Sequence, residues 1–344
     1  MPLERVIDAE LSYVSAKLMM LEALRGGFTT LNNFAIINKE KADALHQAAV
    51  DTGIRLVSAT GAMDLDADGV TAEKVPVKSI DDALERADEH FSSCENFEMI
   101  YPSLCVTNVD TGSKELISAL VDYCRRENAL FQIHANEHLP EVHGSIVRYG
   151  RRPLEFISDC GGLGRNTVVH HTTLVTESEI NLLRSTESGV SYNPVASQWK
   201  GDAVCPAMSF SERGIRMGIG TDSTRSNAFR MIDAAETCQR ISFGMKINDF
   251  SQGAGWTWVD AATRGSADVA GLSKITGKLA EGYRADFLVL DMESPETLPS
   301  WDFQWDLVRR YNRDQICAVV IDGLLTMENG EAIGWDQKQF LKEE

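Results

Sequence analysis

Between residues 28 and 220 the chain alternates short β-prone runs with helical stretches, and this alternation constrains its fold more than any other feature. The β-prone runs fall at residues 28–34 (FTTLNNF), 54–60 (IRLVSAT), 97–101 (FEMIY), 129–134 (ALFQIH), 167–172 (TVVHHT), 189–192 (GVSY) and 215–220 (IRMGIG). Helical segments separate them, several announced by a capping residue such as Ser79 or Ser113. Parallel strands need crossover connections and helices supply them, so the pattern predicts a parallel sheet wrapped by helices. Seven strands are read before the helix-rich stretch 228–272, whereas a closed (β/α)8 barrel needs eight. Ahead of them, Leu3, Ile7, Leu11, Val14, Leu18 and Leu21 step by three or four until Gly26-Gly27 stops the helix. That helix already reads as the crossover after strand one. The expectation is an α/β fold: a TIM-type barrel lacking its first strand, with two edges of unpaired backbone groups to be covered. After Leu272 the texture changes to short alternating strands with glycine-bearing turns, as in residues 277–291 and 317–331. The predicted division is a barrel over residues 1–272 and a small, partial β-sandwich appendage over 273–344.

With 344 residues, 43% hydrophobic and 24% charged, the chain has a globular balance. Lys plus Arg number 33 against 51 Asp plus Glu, and the net charge of −18 argues against nucleic acid or an anionic membrane as partner. No run approaches the roughly 18 apolar residues of a membrane helix. The first twenty residues lack the basic-then-apolar order of an export signal. Seven cysteines are scattered without a C-x-x-C, which suggests neither a disulfide framework nor a thiolate zinc site. A reducing cytoplasm is the expected location.

The chain has seven histidines, and their placement is informative. His134 ends one predicted strand with Glu137 three residues on, His171 ends the next, and Asp222 directly follows the run 215–220. In α/β barrels the strand C-terminal ends carry the chemistry, so these groups are expected at one mouth. Imidazole and carboxylate suit Zn²⁺ or Fe²⁺ in a site left open to water, whose pKa such a metal lowers to about 7. Glu137, in the loop, is the candidate to move protons. Neighbours on a strand face opposite ways, so only one of His170 and His171 is expected to face the pocket. Asp222 has a bland alternative as a helix cap. His46, His90, His138 and His143 show no partners in the sequence and are given no role. Gly218-Ile-Gly220 lacks the third glycine of a dinucleotide fingerprint. The acidic run 64–68 reads as a solvated loop rather than a calcium site. Trp256 and Trp258 read as packing residues, with one able to stack on a heterocycle if near the mouth.

Five ordered motifs carry a resemblance: His134-Ala-Asn-Glu137, the run from His171 through Thr176 and Glu179, Ser191-Tyr-Asn-Pro, Gly218-Ile-Gly-Thr-Asp222, and residues 277–286 ending Arg-Ala-Asp. Together they resemble the amidohydrolase superfamily, in particular the deaminases and chlorohydrolases acting on purines, pterins and triazines. The resemblance implies one divalent metal, zinc first and iron second, with His134 and Asp222 as ligands. It makes Glu137 the proton shuttle and selects His171 over His170 as the histidine meeting activated water or substrate. Asn193 and Arg225 then fall on the substrate side. The Arg-Ala-Asp strand is assigned to a β-sandwich built from both chain ends. The family's strand-one His-x-His, which supplies two more ligands, is absent from this sequence. Its absence matches the strand count. The expectation is therefore a front-truncated barrel that binds metal weakly, with a longer gene product as the competent enzyme. A second departure is Ala196-Ser197, where the family commonly has Ser-Asn. The implied reaction is hydrolytic deamination of a small aromatic N-heterocycle by a metal-activated water. Alternatives are loss of chloride or alkylamine from a triazine-type ring or opening of a cyclic amide, and, in another class, a catalytically inactive barrel. Family resemblance also makes a homodimer possible.

Overall fold

A computed structural model describes residues 7–34, 38–65, 77–249, 251, 253 and 255–343. Helix α1 (Ala9–Arg25) starts where the Asp8 side chain accepts the Leu11 amide at 2.9 Å, and it ends at Gly26. Its buried stripe includes Met20, Leu21 and Leu24. The chain then alternates through β1 (Thr30–Asn32), α2 (Lys39–Thr52), β2 (Arg55–Gly61), α3 (Ile80–Cys94), β3 (Ile100–Val106), α4 (Lys114–Arg126) and β4 (Leu130–Ala135). Helix α5 (Leu139–Tyr149) follows, and further helices connect β5 (Thr167–His171), β6 (Gly189–Tyr192) and β7 (Met217–Ile219). Ser79 and Ser113 each cap a helix by accepting the amide three residues on, as their positions in the sequence imply, and Thr176 does the same.

The seven strands form one parallel sheet in sequential order. Curling is shown by a contact between strands that are not neighbours: Asn32 Nδ2 on β1 donates to Gln132 Oε1 on β4 at 3.0 Å. The Gln132 amide also donates to Ser103 Oγ on β3 at 2.9 Å, and His170 Nε2 on β5 lies 3.2 Å from its oxygen. Gln132 thus centres a polar layer inside the curl. An apolar cluster of Val57, Leu130, Val168, Val269 and Leu272 contains the residue two before Gln132 and two before His170 on their strands.

The barrel is the predicted one with its seven strands, and the structure shows how the ends of the sheet meet. Gly26, just past α1, lies against the segment that follows β7. Ala228 N donates to Gly26 O at 2.8 Å, and a Cβ added at Gly26 would fall 1.8 Å from the Ser226 carbonyl oxygen. The β7 side is covered by the turns at 261–269: Ile219 N donates to Ser266 Oγ at 3.0 Å, and Gly218 packs on Ser266. Gly26→Ala forces backbone apart at this junction and is expected to cost at least about 1–3 kcal/mol in a denaturation midpoint measurement; an unchanged midpoint would contradict the closure described.

One predicted strand sits elsewhere. Residues 97–101 were expected to be extended, yet β3 begins at Ile100 and runs through Pro102. Phe97 instead belongs to the turn after α3, where its ring lies 5.7 Å from that of His46. The acidic run also reads differently: Asp64 accepts Ser113 N at 2.7 Å and Ser113 Oγ at 2.5 Å, anchoring the start of α4. Residues 66–68 of that run lie outside the described residues.

Strands β8 (Phe287–Leu290), β9 (Ile316–Ile321), β10 (Leu324–Glu328) and β11 (Glu331–Ala332) form a four-stranded antiparallel sheet. Ile316, Val319, Ile321 and Met327 share one apolar cluster with Met20 and Leu24 of α1. The Arg-Ala-Asp motif ties this sheet to the barrel. Asp286 pairs with the guanidinium of Arg55 at the start of β2, accepts Thr276 Oγ1 at 2.6 Å and accepts Asp322 N at 2.8 Å. Among the described residues no helix is long and apolar enough to cross a membrane.

Candidate active site

The C-terminal strand ends bring His134, Glu137, His171 and Asp222 together, as expected. His134 Nδ1 lies 3.0 Å from the Thr107 carbonyl, which can only accept, so the proton sits on Nδ1 and Nε2 keeps its lone pair. Phe34, beyond β1, packs edge-on against the His134 ring at 4.4 Å. The His171 ring stacks on His134 at 5.4 Å, and His171 Nε2 lies 3.5 Å from Glu137 Oε1. Oxygens of Glu137 and Asp222 and a nitrogen of His171 all lie within 4.8 Å of one another.

Backbone geometry explains this convergence. Asn136 (φ 57°), His171 (φ 69°), Thr172 (φ 47°), Asp222 (φ 49°) and Ser223 (φ 56°) all adopt the left-handed region that non-glycine residues avoid. Such strain persists where surrounding contacts enforce it and clusters at functional sites. It also corrects the expectation from strand alternation. His170 pairs in register with His134 and stays inside the curl with Gln132, its ring 5.0 Å from that of His134. His171 should face the helices, but its left-handed backbone turns it into the same cluster. Both histidines therefore face inward.

Lys200, which the sequence does not single out, ends the helix Pro194–Lys200 and bridges the two carboxylates. Its Nζ lies 2.6 Å from Glu137 Oε1 and 2.7 Å from Asp222 Oδ2. Burial alone would lower the Lys200 pKa, but its bonds to Asp222 and Glu137 outweigh that and raise it. His138, given no role from sequence, joins through Nε2 at 3.1 Å from Glu137 Oε1, with Nδ1 3.2 Å from Asp202. Burial pushes His134 below its ordinary value, and burial reinforced by the His134 ring pushes His171 down to about 3. The imidazoles are therefore neutral near pH 7, with lone pairs free to coordinate or accept.

Asn193 is 5% exposed. Its Nδ2 lies 3.4 Å from both nitrogens of His171, and its Oδ1 accepts Ser191 Oγ at 2.9 Å, so it lies behind His171. Gly220 is required here, because a Cβ would stand 2.2 Å from Asn193 Oδ1. Arg225 lies apart from the cluster. It lines a separate cavity of about 460 Å³ with Glu22, Asp233, Arg309 and Tyr311, since the chain has turned toward α1 by that point. Trp258 is fully buried as a packing residue, whereas Trp256 is 41% exposed.

The loop carrying Glu137 is held from behind. Glu141 accepts Asn136 N at 3.2 Å and Glu137 N at 3.0 Å, and the Asn136 amide donates to Leu174 O and Glu179 Oε1. Burial, only partly offset by those backbone bonds, pushes Glu141 up to about 7 from 4.5. Between these values the unfolded chain releases a proton that the folded chain keeps, so this residue's contribution to stability falls as pH rises, by up to about 1.4 kcal/mol per pH unit. The melting temperature of Glu141→Gln minus that of wild type is expected to increase from pH 5 to pH 8; a constant difference would contradict the assignment.

The sequence profile of the amidohydrolase family matches residues 2–324. The chain belongs to the amidohydrolase family. This amidohydrolase is 27% identical to a 5-methylthioadenosine/S-adenosylhomocysteine deaminase of Aquifex aeolicus, over 98% of its own length and 76% of the relative's. It is 28% identical to a 5'-deoxyadenosine deaminase of Methanopyrus kandleri, over 99% of its length and 76% of that protein's. A zinc-bound adenosine deaminase from Xanthomonas campestris superposes with a TM-score of 0.90 at 22% identity, covering 99% of this chain and 76% of that one. Guanine deaminase from E. coli gives 0.84 at 20% identity, covering 95% and 77%. Amidohydrolase membership makes the chain a hydrolase with a TIM-type barrel.

Proposed function

We propose that this amidohydrolase is a metal-dependent hydrolase of C–N bonds that deaminates an aromatic N-heterocycle of the adenosine kind. The supporting observation is the Glu137 carboxylate, placed beside His171 and between two cationic or hydrogen-bonding partners, Lys200 and His138. The chain's donors fit a divalent cation in type: the neutral Nε2 of His134 and the carboxylate of Asp222, flanked by His171 and Glu137. The Lys200 ammonium between Glu137 and Asp222 marks where positive charge is stabilised. A divalent ion held by His134 and Asp222 would lower the pKa of water to about 7.

Glu137 takes one proton from the attacking water and passes it to a ring nitrogen, then takes the second from the hydroxyl on the tetrahedral carbon and gives it to the leaving amine, so that water plus the amino-substituted ring gives the oxo product and ammonia. His171 steadies charge at the tetrahedral carbon, and Asn193 positions His171. Phe34 and the stacked histidines give a flat ring an apolar and aromatic wall. The relatives named for methylthioadenosine and deoxyadenosine support an adenosine-like substrate. Among the described residues no disulfide joins any of the cysteines, which suits a reducing compartment such as the cytoplasm.

Metal analysis tests this reading. Zinc retained by the wild-type chain and lost in Asp222→Asn supports it, whereas no zinc above that of the variant contradicts it.

A further inference from the structure

Outside the barrel, between β2 and its covering helices, a second group of metal-ligating side chains converges. His46 comes from α2, and His90 and Cys94, one helical turn apart on the same face, come from α3. Cys94 Sγ lies 3.8 Å from His46 Nε2 and 4.0 Å from His90 Nε2, and the three donor atoms all fall within 4.8 Å of one another. Zinc bonds of about 2.3 Å to sulfur and 2.0–2.1 Å to nitrogen separate such donors by roughly 3.5–3.8 Å. Contraction of a few tenths of an ångström at sulfur brings the two nitrogen–sulfur spacings into that range.

We propose that His46, His90 and Cys94 bind a single zinc-class transition-metal ion at a structural site. His46, His90 and Cys94 are 0%, 6% and 2% exposed, so the three donors are held together in the interior, away from water. His46 Nδ1 is buried with no hydrogen-bond partner among the described residues. Coordination through Nε2 would place the ring proton on Nδ1 and leave Nε2 as the donor facing Cys94. Ser58 of β2 completes the chamber. Its Oγ lies 2.8 Å from His46 Nε2 and its carbonyl 2.9 Å from His90 Nε2. Binding breaks the Cys94 S–H bond, with the proton leaving to solvent, and forms the metal–sulfur bond. At His90 it exchanges the carbonyl contact for the metal and moves the ring proton to Nδ1.

Neighbours of the cluster line a surface groove. A groove of about 450 Å³ between α2 and α3 is lined by residues that include Asp43, Gln47, Glu89 and Ser93. Asp43 precedes His46 by one turn, and Glu89 and Ser93 adjoin His90 and Cys94 in sequence, so the groove offers two carboxylates beside the cluster.

The test is titration of the metal-free full-length chain with Co²⁺, followed by absorption. A thiolate-to-cobalt charge-transfer band in the near ultraviolet reports a cysteine ligand, and the His134 cluster has none. The band is expected at one equivalent in wild type, to be lost in Cys94→Ser and His46→Gln, and to persist in Asp222→Asn. Absence of the band from folded wild-type protein at saturating Co²⁺, or its survival in Cys94→Ser, would overturn the proposal. The wild-type spectrum decides even where a variant fails to fold.

Discussion

Glu137→Gln is expected to leave the fold intact and to lower kcat by about 10²–10⁴-fold, the range by which a positioned general acid or base accelerates a reaction. The amide keeps the size of the side chain but can neither take up nor release a proton near neutral pH. Lys200 and His138 each lose one carboxylate partner but keep Asp222 and Asp202, and the loop stays anchored, because Glu141 holds the Glu137 backbone amide rather than its side chain. Ammonia release from a saturating substrate checks the expectation. A turnover number close to wild type would remove Glu137 from the proton path.

The second large effect is on stability. Asp286→Ala is expected to cost about 3–5 kcal/mol, because it strands the Arg55 guanidinium in the interior without its counter-charge. Arg55 and Asp286 side chains are 1% and 3% exposed, and Arg55 Nε already lacks a hydrogen-bond partner among the described residues. The pair joins the first long barrel strand to the C-terminal sheet, so the loss should appear in both parts as one cooperative transition. The double replacement Arg55→Met with Asp286→Leu removes both charges and is expected to recover much of the loss. Chemical denaturation measures both. A cost below about 1 kcal/mol for Asp286→Ala would place the pair among exposed ion pairs of little consequence.

These two residues mark what was legible in the sequence. Glu137 was found because it stands three residues from a strand-end histidine, a local relation that the fold preserves. The Arg-Ala-Asp motif was visible as a motif, but its partner Arg55 lies 231 positions away in sequence, and no spacing rule reaches that far. The βα alternation, the caps at Ser79 and Ser113 and the stop at Gly26 were local signals and fell where expected.

Tertiary contacts decided the rest. β3 begins later than its apolar run because Phe97 packs on His46. His171 reaches the site through a left-handed backbone that alternation does not anticipate. Lys200 and His138 bear no pattern of their own and become part of the site only when strand ends from β4, β6 and β7 meet. Arg225, three residues beyond Asp222, looked equally close in sequence and lines another cavity.

On the function proposed above, His134, Glu137, His171 and Asp222 together remove an amino group from a nucleoside-type ring. Incubating the zinc-loaded chain with adenosine and its 5'-modified forms, and measuring ammonia together with the product's absorption, tests this. Ammonia and the inosine-type product are expected in equal amounts from wild type, and neither above background from Glu137→Gln. Zinc-loaded wild-type protein that releases no ammonia from any of these nucleosides would contradict it.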